Sequence, residues 1–405
     1  MTDSRMLDRF ADLAVRVGVN LQPGQGLVLS SDTAHMEIAR AVVERAYAAG
    51  AGWVHVEWED GPMRRSRLAH STIESLSRSH SWALQPIRAW GEEGAAFLSL
   101  VGNPTPHLFD DIDPSKLAAI PVEVAKAVKY NITILQRRWS VVAAPNAGWA
   151  NEIFGEPDVE RLWAAVATAM RLDEDDPVEA WRERTAELGR RAKALDALSL
   201  SEVRYRAPGT DLTVGLIPDC RWTGGGLVDP DGLAYMPNIP TEEVFTCPDR
   251  RRADGVIALT KPVVIAGQLI KDLVVTFEGG RITDVVAGSG ADVVLAHLAS
   301  DEGARSLGEV SLVDRDSRIA KAGIVFRNTL FDENAGCHVA WGMSFPFAVA
   351  GGQEMTDEQR YAIGLNQSAV HTDVVIGGSG MTVSGTGPCG TVDIIRDDEW
   401  VLPTA

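Results

Sequence analysis

The sequence predicts two domains: an α/β N-terminal domain with a mostly parallel open sheet over residues 1–185, and a β-rich α+β domain over 186–405. Three observations carry this prediction. Short apolar runs alternate with amphipathic helical spacing through the first part of the chain, the pattern of a parallel sheet with crossover helices. Beyond the long polar helix ending near Leu198 the period shortens to the two-residue alternation of strands. The acidic and imidazole residues whose spacing suits chemistry then gather in the second half. At 405 residues the chain is long enough for two full cores.

Taken in order, Ser4 to Val17 has helical spacing and Leu27 to Ser30 reads as a strand. Ala34 to Ala49 is an Ala-rich helix stopped by Gly50 and Gly52, and Trp53 to Glu57 is the next strand. This order implies a right-handed parallel crossover. Ala96 to Val101 and Trp139 to Ala144 continue the strands; Pro114 to Lys129, Asp158 to Leu172 and Pro177 to Leu198 continue the helices. In the second half, Val203 to Arg206 and Leu212 to Leu216 form a hairpin about Gly209-Thr210-Asp211. Val256 to Leu259, Leu273 to Phe277 and Arg281 to Val285 are strands, the last two joined by Gly279-Gly280. Asp292 to Ser300 is a helix, and the run from Ile324 to Phe331 reads as a buried strand ending in polar residues.

Composition narrows the function. A net charge of -18 argues against nucleic acid and against anionic membranes as partners. No run approaches a membrane span or a signal-peptide core. Cys220, Cys247, Cys337 and Cys389 are scattered, which is neither a disulfide framework nor a zinc ribbon, so the expected compartment is the reducing cytoplasm. The glycine-rich stretches 377–380 and 385–390 lack a phosphate-loop lysine and read as turns, and no dinucleotide fingerprint follows any strand.

The chemistry centres on Asp332-Glu333-Asn334-Ala335-Gly336-Cys337-His338, with Leu307-Gly308-Glu309-Val310 upstream and His371-Thr372-Asp373 downstream. Carboxylates and imidazoles in these segments suit a pair of divalent metals. On a strand, His371 and Asp373 point to one face, as ligands of a shared ion would. Cys337 beside His338 is expected to pack rather than ligate.

Together with Asn238-Ile239-Pro240-Thr241-Glu242-Glu243-Val244-Phe245-Thr246, these segments resemble, in content and order, the thermophilic metalloaminopeptidases of the aminopeptidase T and aminopeptidase S type. The resemblance implies a metal-dependent aminopeptidase with two divalent ions (Zn, Co, Mn or Mg), acting on peptides as a homodimer. It assigns Glu243, Glu309, His338, His371 and Asp373 as ligands, with Glu309 bridging, and gives Glu333 a metal position or the role of general base. A carboxylate bridging two cations ~3.5–4 Å apart lowers the pKa of a shared water. The chain departs from the family at Phe345, where the family has a tyrosine seven residues after this histidine. A missing oxyanion donor typically lowers rate by ~10²–10³. Two alternatives therefore stay open. One is another metalloenzyme on the same scaffold, such as a ring-cleaving dioxygenase with one iron on His338, His371 and Asp373. The other is a scaffold with a vestigial site.

Overall fold

The computed structural model describes residues 4–117, 119–266 and 268–404. It divides into two compact units, residues 1–183 with 226–240, and residues 184–225 with 241–405. The boundary falls inside the helix Pro177–Leu198.

The first unit is built on a parallel sheet. Its strands are β1 (Gly26–Asp32), β2 (Trp53–Glu59), β3 (Ala96–Val101), β4 (Trp139–Ala143) and β5 (Asn238–Ile239), in the order β2-β1-β3-β4-β5. All four neighbouring pairs are parallel. The helices Ser4–Leu13, Met36–Ala48 and Val159–Ala169 bury Phe10, Leu13, Ile38, Val42, Leu162 and Val166. The mostly parallel α/β architecture expected for this part is therefore present.

Two local expectations are corrected, and two further helices appear. Residues 114–129 do not form one helix. They give Pro114–Leu117 and Val122–Thr133, with Pro121 at the start of the second, because proline disfavours helical conformation in the residue before it. The helices Gly61–His70 and Ser81–Glu92, segments to which the sequence reading gave no assignment, are also present; Asp60 starts the first by accepting from Met63 N. Residues 226–240, assigned by linear reading to the second domain, return to the first sheet through β5, where Val141 N also donates to Pro237 O.

The second unit contains an eight-stranded sheet running, edge to edge, through residues 281–286, 274–278, 248–258, 210–216, 202–207, 382–387, 390–396 and 399–400. Its hairpins fall where Gly209 and Gly279-Gly280, all at positive φ, allow tight turns. Against it lies a four-stranded antiparallel sheet: β6 (Val244–Thr246), β7 (Leu307–Leu312), β8 (His338–Gly342) and β9 (His371–Val375), in that order. Val244, Val310, Leu312, Val339, Trp341 and Val374 from this sheet share one apolar core with Val203, Tyr205, Leu212, Val214, Val275 and Phe277 from the larger one.

The buried strand expected over Ile324 to Phe331 is absent. Asn328 caps a short helix, Thr329–Asp332, while the Asp332 carboxylate accepts from Phe326 N at 2.7 Å and Asn328 N at 3.1 Å. These side-chain bonds hold the segment in a capped turn in place of strand pairing. The strand begins only at His338.

Paired residues in an antiparallel sheet project to the same side, and alternate residues to opposite sides. With the core residues on one face of β6 to β9, the other face must carry Phe245, Glu309, Ser311, His338, Ala340, Gly342, His371 and Asp373. A bulge between Leu307 and Glu309 sets this register. Gly308 sits in that bulge, and a Cβ there would come within 2.4 Å of the Gly342 and Met343 carbonyl oxygens. Gly308→Ala is expected to destabilise the protein by about 1–3 kcal/mol, read as a lower urea midpoint. An unchanged midpoint would show that the bulge tolerates a side chain.

Candidate metal centre

The polar face of the four-stranded sheet brings together residues far apart in sequence. His338 Nε2 lies 3.0 Å from Glu243 Oε2 and 3.5 Å from Glu309 Oε1. His371 Nε2 lies 3.6 Å from Glu309 Oε2 and 3.4 Å from Asp373 Oδ1. Two donor groups result, Glu243–Glu309–His338 and Glu309–His371–Asp373, each with its ligand atoms within 4.8 Å of one another. Glu309 belongs to both, one oxygen towards each imidazole. Ala340, paired with Glu309 and with Asp373, and Gly342, paired with His371, keep the floor between them low.

Each side chain is aimed by identifiable contacts. The Ser311 hydroxyl donates to Glu243 Oε2 at 2.7 Å. Glu242, fully buried, instead pairs with Arg184 at 2.7 Å, so of the two adjacent glutamates only Glu243 faces His338. The Asn334 amide ties two segments together: its Oδ1 accepts from Glu242 N at 2.6 Å and its Nδ2 donates to Leu330 O and, at 3.4 Å, to Glu333 Oε1. His371 Nδ1 faces Met343 O at 2.7 Å and His338 Nδ1 faces Gly336 O at 3.3 Å. A carbonyl can only accept, so each Nδ1 carries a proton; in the metal-free protein Nε2 carries one too and faces the carboxylates with it, and a cation would take the place of that second proton. Metal-ligating histidines are held in this way.

The electrostatics reflect crowded charge. Burial, reinforced by Glu243 and Asp373, pushes the Glu309 carboxyl up to about 7 against the opposing pull of His338. Glu333 is driven well above the carboxylate range by burial and then by Asp373 and Glu243. For His338 burial disfavours charge, yet Glu243 and Glu309 outweigh it and raise the imidazole well above its ordinary value. Burial likewise opposes charge on His371, but Asp373 and Glu309 carry it to about 9. For Asp373, burial is overcome by the His371 hydrogen bond, and its pKa falls. Oxygen and imidazole donors without a thiolate suit zinc, cobalt, manganese or magnesium. Cys337 is turned into the core, its thiol donating to Val313 O at 3.3 Å.

Glu333 stands outside both donor groups among the described residues, although it feels the charges of Asp373, Glu243, His338 and Glu309. Phe345 occupies the position expected to lack a phenol, its ring centroid 4.9 Å from that of His371. Tyr361 lies elsewhere, under the Arg250 guanidinium. Sequence reasoning missed Ser311, Asn334 and Arg184. Ser311 was within reach of it, being two residues after Glu309 on a strand, and so was Asn334, next to Glu333 in the motif; Arg184 is joined to the site only by folding.

The profile of the thermophilic metalloprotease family (M29) matches residues 3–400. Aminopeptidase PepS of Streptococcus thermophilus is 38% identical over 405 residues, covering 98% of each chain. Aminopeptidase 2 of Geobacillus stearothermophilus is 36% identical, again over 98% of each chain. The structure of wild-type AmpT from Thermus thermophilus superposes with a TM-score of 0.89 at 35% identity, over 98% of this chain and 99% of that one.

In metal-free protein the His371 ring is expected to titrate near pH 9, followed by NMR of its ring nitrogens. Asp373 stabilises the charged ring, so Asp373→Asn should bring this titration down. A midpoint near 6.5 in the unaltered protein would contradict the geometry described.

Proposed function

This chain belongs to the thermophilic metalloprotease family (M29), and we propose that it is an aminopeptidase removing N-terminal residues from peptides at a centre for two divalent cations. The observation that carries the reading is the placement of Glu309, with each carboxylate oxygen facing a different imidazole whose other nitrogen is tied to a backbone carbonyl. Glu243 and His338 would hold one ion, His371 and Asp373 the other, and Glu309 both. The carboxylates of Glu243, Glu309, Glu333 and Asp373 together offer a charge that two dications balance.

When bound, such a pair supplies acidity to a water molecule and polarises a carbonyl. The protein's own groups do the rest. Ser311 keeps Glu243 in one orientation, and the Met343 carbonyl does so for His371. Glu333 is the general base: its carboxylate takes the proton from the attacking water and returns it to the departing amine. Its proximity to the donor groups without membership of either fits a proton carrier better than a ligand. The ring of Phe345 brings no hydroxyl, so charge developing on the scissile oxygen is not met by a phenol from this position.

The single-iron alternative would require His338, His371 and Asp373 to act as one triad. Among the described residues the two histidines fall in different donor groups, joined through Glu309, which favours the two-ion reading. Assembly as a homodimer and a cytoplasmic location complete the reading. The four free cysteines fit a reducing compartment, and no helix among the described residues is long and apolar enough to cross a membrane. Light scattering of the purified protein tests the dimer.

With zinc or cobalt the protein is expected to hydrolyse a leucyl anilide. Glu309→Gln should abolish this and lower the metal content from two ions per chain. Glu333→Gln should keep both ions and lose about 10²–10⁴ in kcat; loss of an ion from that variant would make Glu333 a ligand instead. Ser311→Ala should weaken metal affinity about 10–100-fold, measured by competition with a chelating dye, and unchanged affinity would remove Ser311 from the centre.

A further inference from the structure

We propose that the first unit carries a small-molecule site of its own, at the carboxyl ends of β1, β3 and β4, and that it takes a free amino acid with an apolar side chain. The inference stands apart from the peptidase reading, although amino acids are what that reaction would release.

The sheet order places the site. In the order β2-β1-β3-β4-β5 the chain builds from β1 to one side, then crosses back and adds β3, β4 and β5 on the other. Connections leaving β1 and β3 therefore part in opposite directions. This opens a crevice beyond their carboxyl ends, where open α/β sheets bind ligands. A cavity of about 500 Å³ lies there, lined by Ala34 to Ile38 after β1, Pro104 after β3, and Pro145 to Gly148 after β4. Leu7, Val159 and Trp163 complete an apolar lining.

The polar part of the lining is fixed atom by atom. Asn146 caps the helix Ala147–Phe154, its Oδ1 accepting from Trp149 N at 2.8 Å. Its Nδ2 is left to donate to Ala144 O at 3.3 Å and to His35 Nε2 at 3.0 Å. Nε2 is therefore the acceptor of the His35 ring, and Nδ1 bears the proton. Burial favours this neutral ring, lowering its pKa against the opposing charge of Asp32. His35 is 1% exposed, and its Nδ1 meets no acceptor among the described residues. A buried donor without a partner is uncommon, and a ligand oxygen arriving through the cavity that His35 lines would supply one. Ala147 N and Gly148 N, at the start of the capped helix, also lack intrahelical partners.

These donors suit a single carboxylate. No lysine or arginine stands in the lining, so a phosphate would lack its counter-charge. Glu37, exposed on the same lining, can meet an ammonium group. The apolar side chains around Trp163 can cover a hydrocarbon body. Carboxylate, ammonium and apolar body together describe an amino acid such as leucine.

The test is calorimetry on the full chain stripped of metal, which removes turnover and separates this site from the peptidase reading. L-leucine should bind. L-leucinamide, 4-methylpentanoate and glycine lack the carboxylate, the ammonium and the apolar body in turn, and each should bind at least about 10-fold more weakly. His35→Phe keeps a ring and removes the donor, and should lower leucine affinity at least about 10-fold. Ala34→Trp, which fills the cavity from an exposed position, should abolish binding. Glu37→Gln should weaken leucine and leave 4-methylpentanoate unchanged. Thermal melting checks that each variant folds, and if His35→Phe does not, the two exposed variants decide. The proposal is overturned if leucine does not bind at millimolar concentration, or if leucinamide or inorganic phosphate binds as tightly. Leucine binding that any folded variant leaves unchanged overturns it too.

Discussion

Three carboxylates, Glu243, Glu309 and Asp373, share one face of a four-stranded sheet with two imidazoles at separations of 3.0 to 3.6 Å. Glu333 adds a fourth negative group to the same field. Like charges so close, and so poorly hydrated, repel strongly unless something positive lies among them. In the protein alone the imidazoles and captured protons play that part, which is why Glu309 and both histidines hold protons at higher pH than usual. Divalent cations would replace those protons, so metal binding and proton release are linked.

The sheet makes this tolerable by separating its two faces. Val310, Leu312, Val339, Trp341 and Val374 enter the core while their strand neighbours point the other way. The floor stays open because Ala340 and Gly342 occupy the places where larger side chains would fill the centre. A further layer fixes orientation: Arg184 holds Glu242 in the core, Ser311 turns Glu243, and Asn334 binds the strand-entry segment to the turn that carries Glu333. Groups in this layer decide whether a cluster of acids is a preorganised cage or a loose patch.

Much of the first sheet was readable because its strands are short apolar runs between amphipathic helices, signals that are local. The paired strands Val203 to Arg206 and Leu212 to Leu216 were likewise marked by alternation and a glycine turn. Readability failed where local and tertiary signals parted. The apolar run from Ile324 to Phe331 looks like a strand, yet Asn328 and Asp332 bind nearby backbone and hold it as a turn and short helix. The helix 61–70 lacks an apolar stripe and escaped notice. For the candidate site, the same-side placement of His371 and Asp373 follows from strand period alone. The convergence of Glu243 with His338 does not, because it depends on β6 pairing with β7 across more than sixty residues of chain. Resemblance to a family supplied that connection, and the fold supplied its physical cause.

The strand β5 has a consequence for how this chain can be dissected. Residues 226–240 leave the run of the second unit to complete the first sheet, and Glu243 follows almost at once after Pro240. No single cut separates the halves. A fragment starting near residue 184 would carry an orphaned strand, and one ending there would expose the edge of β4 to stray pairing. Recombination between relatives would need matched splices at three joints, one inside a helix and two around the excursion, so the two units are tied to a common inheritance.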